Sequence, residues 1–450
     1  MGYMSRSGRR PNEYASKSSH GYIIRDPEVQ YFLNNECELP PMSVDVELSN
    51  HSIVKIDETI SNPIQNIFAF DGGYTEVSVR KEFPSATLSF FQFGASAIKV
   101  SDLEEISYKP FIDPTDMEKL KSIERFKLAL PTKNITLKSE VDLINSVRKT
   151  VFNFFKNHPC EEKEQFLATL KWFLFEEYRP QPISDWNLAS CPTCTQSNIN
   201  ISRNSISDSF TTSCPICNAS IYLTDVFRLH EAIDNELGAG GILGYLANLL
   251  EHIVLIHIIK SILSIQPALL GNTLFLKDGP LAFFGQTANL HKPMRNLAVY
   301  LKERHNIFLA GIEKSGAFVE HAYEISQNLN PGTVLLLDNE YIYKYIIPGK
   351  ADSTNPYARS SYYGAKVIYK SQDNRIYVVT LPTRDANIIL APKKDDYFNI
   401  DVILRNIEKL KCDMYENALI PISLVNKLVS LSNHPSSVLL EKFAKKSITH

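Results

Sequence analysis

The most specific chemical spacing in this chain belongs to four cysteines. Cys191-Pro192-Thr193-Cys194 and Cys214-Pro215-Ile216-Cys217 make the pattern C-x2-C-x19-C-x2-C. Two such knuckles can set four thiolates tetrahedrally around Zn2+, and four cysteines close the coordination shell, which points to a structural zinc rather than a catalytic one. The stretch between them, with Asn198, Asn200, Ser202 and Ser205, is polar and too short to pack a core unaided. Metal-driven folding accounts for how it is ordered. Because Lys and Arg do not cluster there, the ribbon is expected to dock a protein or act as a scaffold rather than grip nucleic acid. Cys37, Cys160 and Cys412 lack paired spacing and read as ordinary thiols.

A second set of residues could do chemistry. Asp71 closes the apolar run Asn66-Ile67-Phe68-Ala69-Phe70, and Asp278 follows the run Thr273–Leu276, each with a glycine next in line. A continuous apolar run bounded by a glycine turn reads as a buried strand. Carboxylates at neighbouring strand ends can hold hard cations that activate water and stabilise a leaving oxygen of a phosphodiester. The same pattern also arises as a simple turn, and Asp338 after Thr333–Leu337 fits that reading as well as Asp71 does.

The elements that must position these groups alternate along the chain. Thr75–Lys81 and Ala86–Gly94 complete an expected three-strand meander with the Asp71 strand. Helical spacing is expected over Asp116–Leu128, Ser139–Asn157 and Lys163–Tyr178, then from Thr224 to about Ile265 with a break at Gly238-Ala239-Gly240-Gly241. Strands return at Thr273–Leu276, Asn306–Gly311 and Thr333–Leu337, with helices Pro293–Arg304 and Ala317–Asn328 between them. A hairpin, Lys366–Tyr369 with Arg375–Leu381, and a helical tail from Ile400 finish the chain. This order suggests an α/β fold: a ribonuclease H-like mixed sheet flanked by helices, with a helical plus zinc-ribbon insertion. The expected divisions are an N-terminal arm and irregular segment (1–60), first core strands (61–110), helical insertion (111–185), zinc ribbon (186–222) and the remainder of the core with C-terminal helices (223–450).

Three short blocks narrow the reading. Phe68-Ala69-Phe70-Asp71-Gly72-Gly73, Phe275-Leu276-Lys277-Asp278-Gly279-Pro280-Leu281 and Leu309-Ala310-Gly311-Ile312-Glu313-Lys314-Ser315 occur in this order. Together they resemble the NurA nuclease family over roughly Ile67 to Leu431. The resemblance implies a homodimeric DNA nuclease dependent on Mn2+ or Mg2+, with two catalytic cations, working beside a HerA/FtsK-type hexameric ATPase in DNA end processing or anti-phage defence. It also implies roles: Asp71 and Asp278 as metal ligands, and Lys314 near the scissile phosphate as a point charge. Glu251 is the choice for the family's helical glutamate, since its apolar neighbours make a plain surface position uncomfortable for a charge; Glu231 and Glu236 are alternatives. Where the family has a histidine after a Pro-x-x-Leu segment, this chain has Asn426, which can offer a carbonyl oxygen to a hard cation; His434 is a nearby substitute.

Bulk properties leave this reading open. With 450 residues and a formal net charge of −3, no global positive field advertises nucleic acid, but a carboxylate-metal site supplies positive charge locally. For holding DNA, Arg359, Lys366 and Lys370 interleave with Tyr357, Tyr362 and Tyr363, although a solvated loop with packed rings explains them equally. His230, His252 and His257 read as core or surface histidines. No apolar run is expected to span a membrane: Ile253–Leu263 is interrupted by His257 and Lys260. A cytoplasmic protein is the expectation, since the basic N-terminal stretch has no apolar signal core. The competing reading keeps the same shape without metal chemistry, as a zinc-bearing adaptor of the ATPase. Asn426 favours it, and Asp71, Glu251 and Asp278 together disfavour it.

Overall fold

Glycines decide how the first long strands meet. The computed structural model describes residues 19–39, 52–107, 122–159, 164–206, 209–352, 354–385, 389–412, 418–431 and 436–448. Its strands are β1 (Ile53–Lys55), β2 (Asn66–Arg80), β3 (Ala86–Lys99), β4 (Ser122–Lys133), β5 (Asp185–Ser190), β6 (Ser197–Ser202), β7 (Thr211–Ser213), β8 (Ser220–Tyr222), β9 (Thr273–Asp278), β10 (Phe308–Glu313), β11 (Thr333–Leu336), β12 (Ala365–Lys370) and β13 (Ile376–Leu381). The expected turn after Asp71 does not form. Gly72 and Gly73 stay in the ladder opposite Phe93 and Gln92, so Asn66–Phe70 and Thr75–Lys81 merge into the single strand β2. Opposite Asp71 lies Gly94. A Cβ on Gly94 would stand 2.1 Å from the Glu124 carbonyl oxygen, so β4 can approach there only because no side chain intervenes.

Among the described residues, nine strands form one sheet in the order β1-β11-β12-β13-β10-β9-β2-β3-β4. β2, β9 and β10 run parallel to one another, while β3 and β4 extend antiparallel from β2. The second half of the expected Asp116–Leu128 helix is part of β4, and its beginning lies outside the described residues. Alternation explains the difference: Phe126, Leu128 and Leu130 are buried on one side of a strand, a period of two rather than 3.6. The stretch 224–232 also departs from the expected long helix, forming 3-10 turns before the true helix starts.

That helix, Leu243–Ile265, is the centre of the larger core. Leu246, Leu249, Leu250, Ile253, Val254, Leu255, Ile256 and Ile259 are all buried, leaving no wide polar face, as in a helix surrounded by protein. Contrary to the sequence expectation, Gly240–Ile265 is long and apolar enough to cross a membrane, but 72% of its most apolar window is buried inside the protein. Helices Leu143–Asn157, capped by Asp142, and Phe166–Leu174 pack in the same core. On the other face of the sheet, Ile403 and Ile407 of helix Ile400–Lys409 and Ile422 and Val425 of helix Ile420–Val429 cover Ile67, Ala69, Leu274 and Leu276.

The cysteine segment forms two small hairpins, β5-β6 and β7-β8. Leu188, Ile199, Ile201 and Ile221 continue the large core rather than making one of their own. The seam carries a buried ion pair. Arg148 donates from Nε and Nη2 to the two Asp225 carboxylate oxygens at 2.8 and 2.7 Å, and from Nη2 to the Ser220 carbonyl at 3.1 Å. Removing one partner strands the other charge in the core. Asp225→Ala should therefore lower unfolding stability by about 3–5 kcal/mol in a urea titration; a loss below about 1 kcal/mol would mean the seam is held by apolar contact alone.

Candidate metal and acidic site

Strand alternation sorts the acidic residues onto two sides of the sheet. Ala69, Leu274 and Leu276 belong to the core under the C-terminal helices, whereas Phe70 and Phe275 belong to the core around Leu243–Ile265. Since side chains alternate along a strand, Asp71 and Asp278 face the C-terminal helices, and Lys277 faces the long helix. Parallel pairing of Phe70 with Lys277 brings the two aspartate-bearing stretches side by side. Asp278 ends its strand as expected, and Lys314, just after β10, reaches it with Nζ 2.8 Å from Oδ2. Asn426 is exposed on the helix above and lies within hydrogen-bonding influence of Asp71.

Asp71 is an expensive residue for its place. It is 3% exposed; Oδ1 accepts the Gly72 N–H at 2.7 Å, while Oδ2 is buried without a hydrogen-bond partner among the described residues. Burial, and secondarily the charge of Asp278, push its carboxyl above the ordinary range, opposed by Asn426, Lys314 and the Gly72 amide. A buried carboxylate oxygen without a donor calls for a cation or a proton. Asp71 and Asp278 are the carboxylates that could hold a hard divalent cation here, with the Asn426 side-chain amide beside Asp71.

Glu251 comes from the opposite side. Its Oε2 receives Lys277 Nζ at 2.7 Å. Its Oε1 lies 3.1 Å from where a Cβ on Gly72 would stand, so the carboxylate packs under the β2 backbone at a position only glycine leaves open. Burial lifts its pKa to about 7 against the pull of Lys277, with Asp71 and Asp278 adding to the rise. The three acids thus feel one another without converging. Among the described residues, the group of three or more potential ligands whose donor atoms all lie within 4.8 Å of one another is the cysteine quartet. Beside Glu251, His252 donates from Nδ1 to the Asn248 carbonyl at 2.7 Å, leaving Nε2 to accept from the Tyr363 hydroxyl at 3.0 Å. It is a satisfied core histidine.

The other sequence candidates fall elsewhere. Glu231 is tied to Arg228 and Ser190, and Glu236 is exposed. Lys366 and Lys370 are not surface cations. Lys366 is 6% exposed, paired with Glu313 at 2.9 Å and set 3.5 Å from the Phe318 ring centroid; Lys370 is 8% exposed and donates to the Ser326 carbonyl at 2.7 Å. Their burial corrects the expectation that they present free cations to DNA; Arg359, the third residue of that expectation, is exposed. His434 lies outside the described residues. Sequence reading missed Lys277, although a lysine beside three buried apolar residues of a strand signals a buried partner.

The cysteines meet as the spacing predicts. Cys191 Sγ is 3.8 Å from Cys217 Sγ, and Cys194 Sγ is 3.9 Å from Cys214 Sγ. Those separations match the edge of a tetrahedron built on metal–sulfur bonds of about 2.3 Å and far exceed a disulfide of about 2.05 Å. The two knuckles repeat one geometry: the Thr195 and Asn218 amides donate to the Cys191 and Cys214 carbonyls at 3.0 and 2.9 Å, with both donors at positive φ. The quartet is compatible with zinc.

No family model matches the chain, and no curated protein matches it. Among solved structures it is similar to one titled "Crystal structure of NurA", at 11% identity and a TM-score of 0.26, with 95% of this chain and 97% of that one covered. A superposition that loose carries neither fold nor activity across. The cysteine geometry makes its own prediction. Native mass spectrometry should find one zinc per chain, and Cys214→Ser should lose it together with the thermal stability of the ribbon, whereas full stability without zinc would contradict a structural metal.

Proposed function

We propose that this chain is a metal-dependent DNA nuclease of the NurA type, hydrolysing phosphodiester bonds at Asp71 and Asp278. One observation carries the reading: a buried aspartate, one of whose oxygens has no hydrogen-bond partner among the described residues, stands beside a second aspartate on the neighbouring parallel strand, with a lysine at its edge. The run β4-β3-β2-β9-β10, in which β3 and β4 are antiparallel neighbours and β9 and β10 parallel ones, supports a ribonuclease H-like core. The sequence blocks around Asp71, Asp278 and Lys314 support the family.

When bound, Mn2+ or Mg2+ would polarise a phosphoryl oxygen and lower the pKa of the attacking water. The chain's own groups do the rest. Asp71 and Asp278 hold their carboxylates beside the parallel strand pair, and Asn426 offers a neutral oxygen above them. In the two-cation scheme Glu251 is a further ligand. Lys314 carries an ammonium already 2.8 Å from Asp278, where it can balance charge gathering on the phosphoryl oxygens. Arg359 is the exposed cation left to meet the DNA backbone. The proposal includes a homodimer in the cytoplasm, a HerA/FtsK-type ATPase as partner and a role in end processing or defence.

A second reading has its own observation. Glu251 is engaged by Lys277, and asparagine stands at 426, as in an adaptor that has lost part of its ligand set. A cleavage assay on linear single- and double-stranded DNA with Mn2+ or Mg2+ separates the two. The wild type should nick or degrade DNA, Asp71→Asn should abolish this with its circular dichroism unchanged, and Lys314→Ala should lower kcat by about 10²–10³-fold. Cleavage persisting in Asp71→Asn would sink the site, and a wild type inert even with the ATPase would favour the adaptor.

A further inference from the structure

Lys277 is the charged group at the acidic centre that the proposed function does not use. It is 2% exposed, in a strand where Leu274, Phe275 and Leu276 are fully buried. Its ammonium has three hydrogens to place, and two partners are fixed: Glu251 Oε2 and the Asp278 carbonyl oxygen, each at 2.7 Å. It therefore ties the long helix to the end of β9, where Asp278 pairs with Ile312 of β10.

The geometry separates Glu251 from the two aspartates. The helix-side face of β2 is closed by Glu251 lying against Gly72, while alternation turns the buried Asp71 carboxylate to the opposite face, toward Asn426. A second divalent cation drawing on Glu251 would have to displace an ammonium that is already desolvated and hydrogen-bonded. Like charges so close in a dry site oppose each other strongly.

We propose that Lys277 is a resident cation of this site: its ammonium stands where a second metal would be drawn by Glu251, so the centre takes one divalent cation, at Asp71 and Asp278. Glu251 is then a positioning residue, acting through Lys277 on the backbone of Asp278. The inference rests on the nuclease reading for the ligand role of Asp71 and narrows that reading from two cations to one.

The test counts Mn2+ on the intact, zinc-loaded protein by electron paramagnetic resonance and calorimetry, with circular dichroism as the folding control. The wild type should bind one Mn2+ that Asp71→Asn removes, and Glu251→Gln should keep that one. Lys277→Met should raise the count to two by freeing Glu251. The neutral pair Glu251→Gln with Lys277→Met should return it to one, and this pair keeps the test usable if Lys277→Met alone fails to fold. Two Mn2+ in the wild type, falling to one in Glu251→Gln, would overturn the resident-cation role while leaving the nuclease reading intact. No Asp71-dependent Mn2+ at all would overturn both.

Discussion

Parallel pairing of β2 with β9 is the constraint on which the rest depends. It places Phe70 beside Lys277 and so sets Asp71 and Asp278 on neighbouring strands, on the same face of the sheet. The two strands are far apart in sequence, and parallel strands need a long crossover. Here that crossover is the whole run through β3, β4, the helices, the cysteine-bearing hairpins and the Leu243–Ile265 helix. The insertion thus forms part of the connection that makes the acidic pair possible, and its apolar side chains share one continuous core with the sheet.

The ends of β9 and β10 carry adjacent pairs of opposite charge, Lys277-Asp278 and Glu313-Lys314. Alternation sends the members of each pair to opposite faces, where each finds its own partner. Lys277 meets Glu251, Lys314 meets Asp278, and Glu313 meets Lys366 among aromatic rings. Buried charges are tolerated when they are paired and hydrogen-bonded. Asp71 breaks the pattern, since one of its oxygens has no hydrogen-bond partner among the described residues. A protein that satisfies the neighbouring charges and leaves that one open has concentrated an electrostatic demand at a single point.

The ribbon shows the opposite economy. Its sulfurs already sit at tetrahedral separations, its backbone turns repeat at both knuckles, and its apolar residues merge with the main core. Arg148 and Asp225 lock the seam.

What is local in this chain is legible from its residues. The cysteine spacing predicted the quartet, because four ligands on two tight turns need little else to meet. The apolar runs before Asp71 and Asp278 predicted buried strands, and the helices at Leu143–Asn157 and His291–His305 followed from their spacing. The tertiary structure decided what depends on partners distant in the chain. Gly72 and Gly73 read as a turn but lie within a strand, because Phe93 and Gln92 complete their ladder. Lys366 and Lys370 read as free cations but are buried, because Glu313 and the Ser326 carbonyl wait for them. Spacing along the chain placed Glu251 with Asp71 and Asp278, and the structure pairs it with Lys277 on the other face of the sheet. A charged residue's role is set by what desolvates and pairs it, and those groups come from strands and helices that spacing along the chain does not bring together.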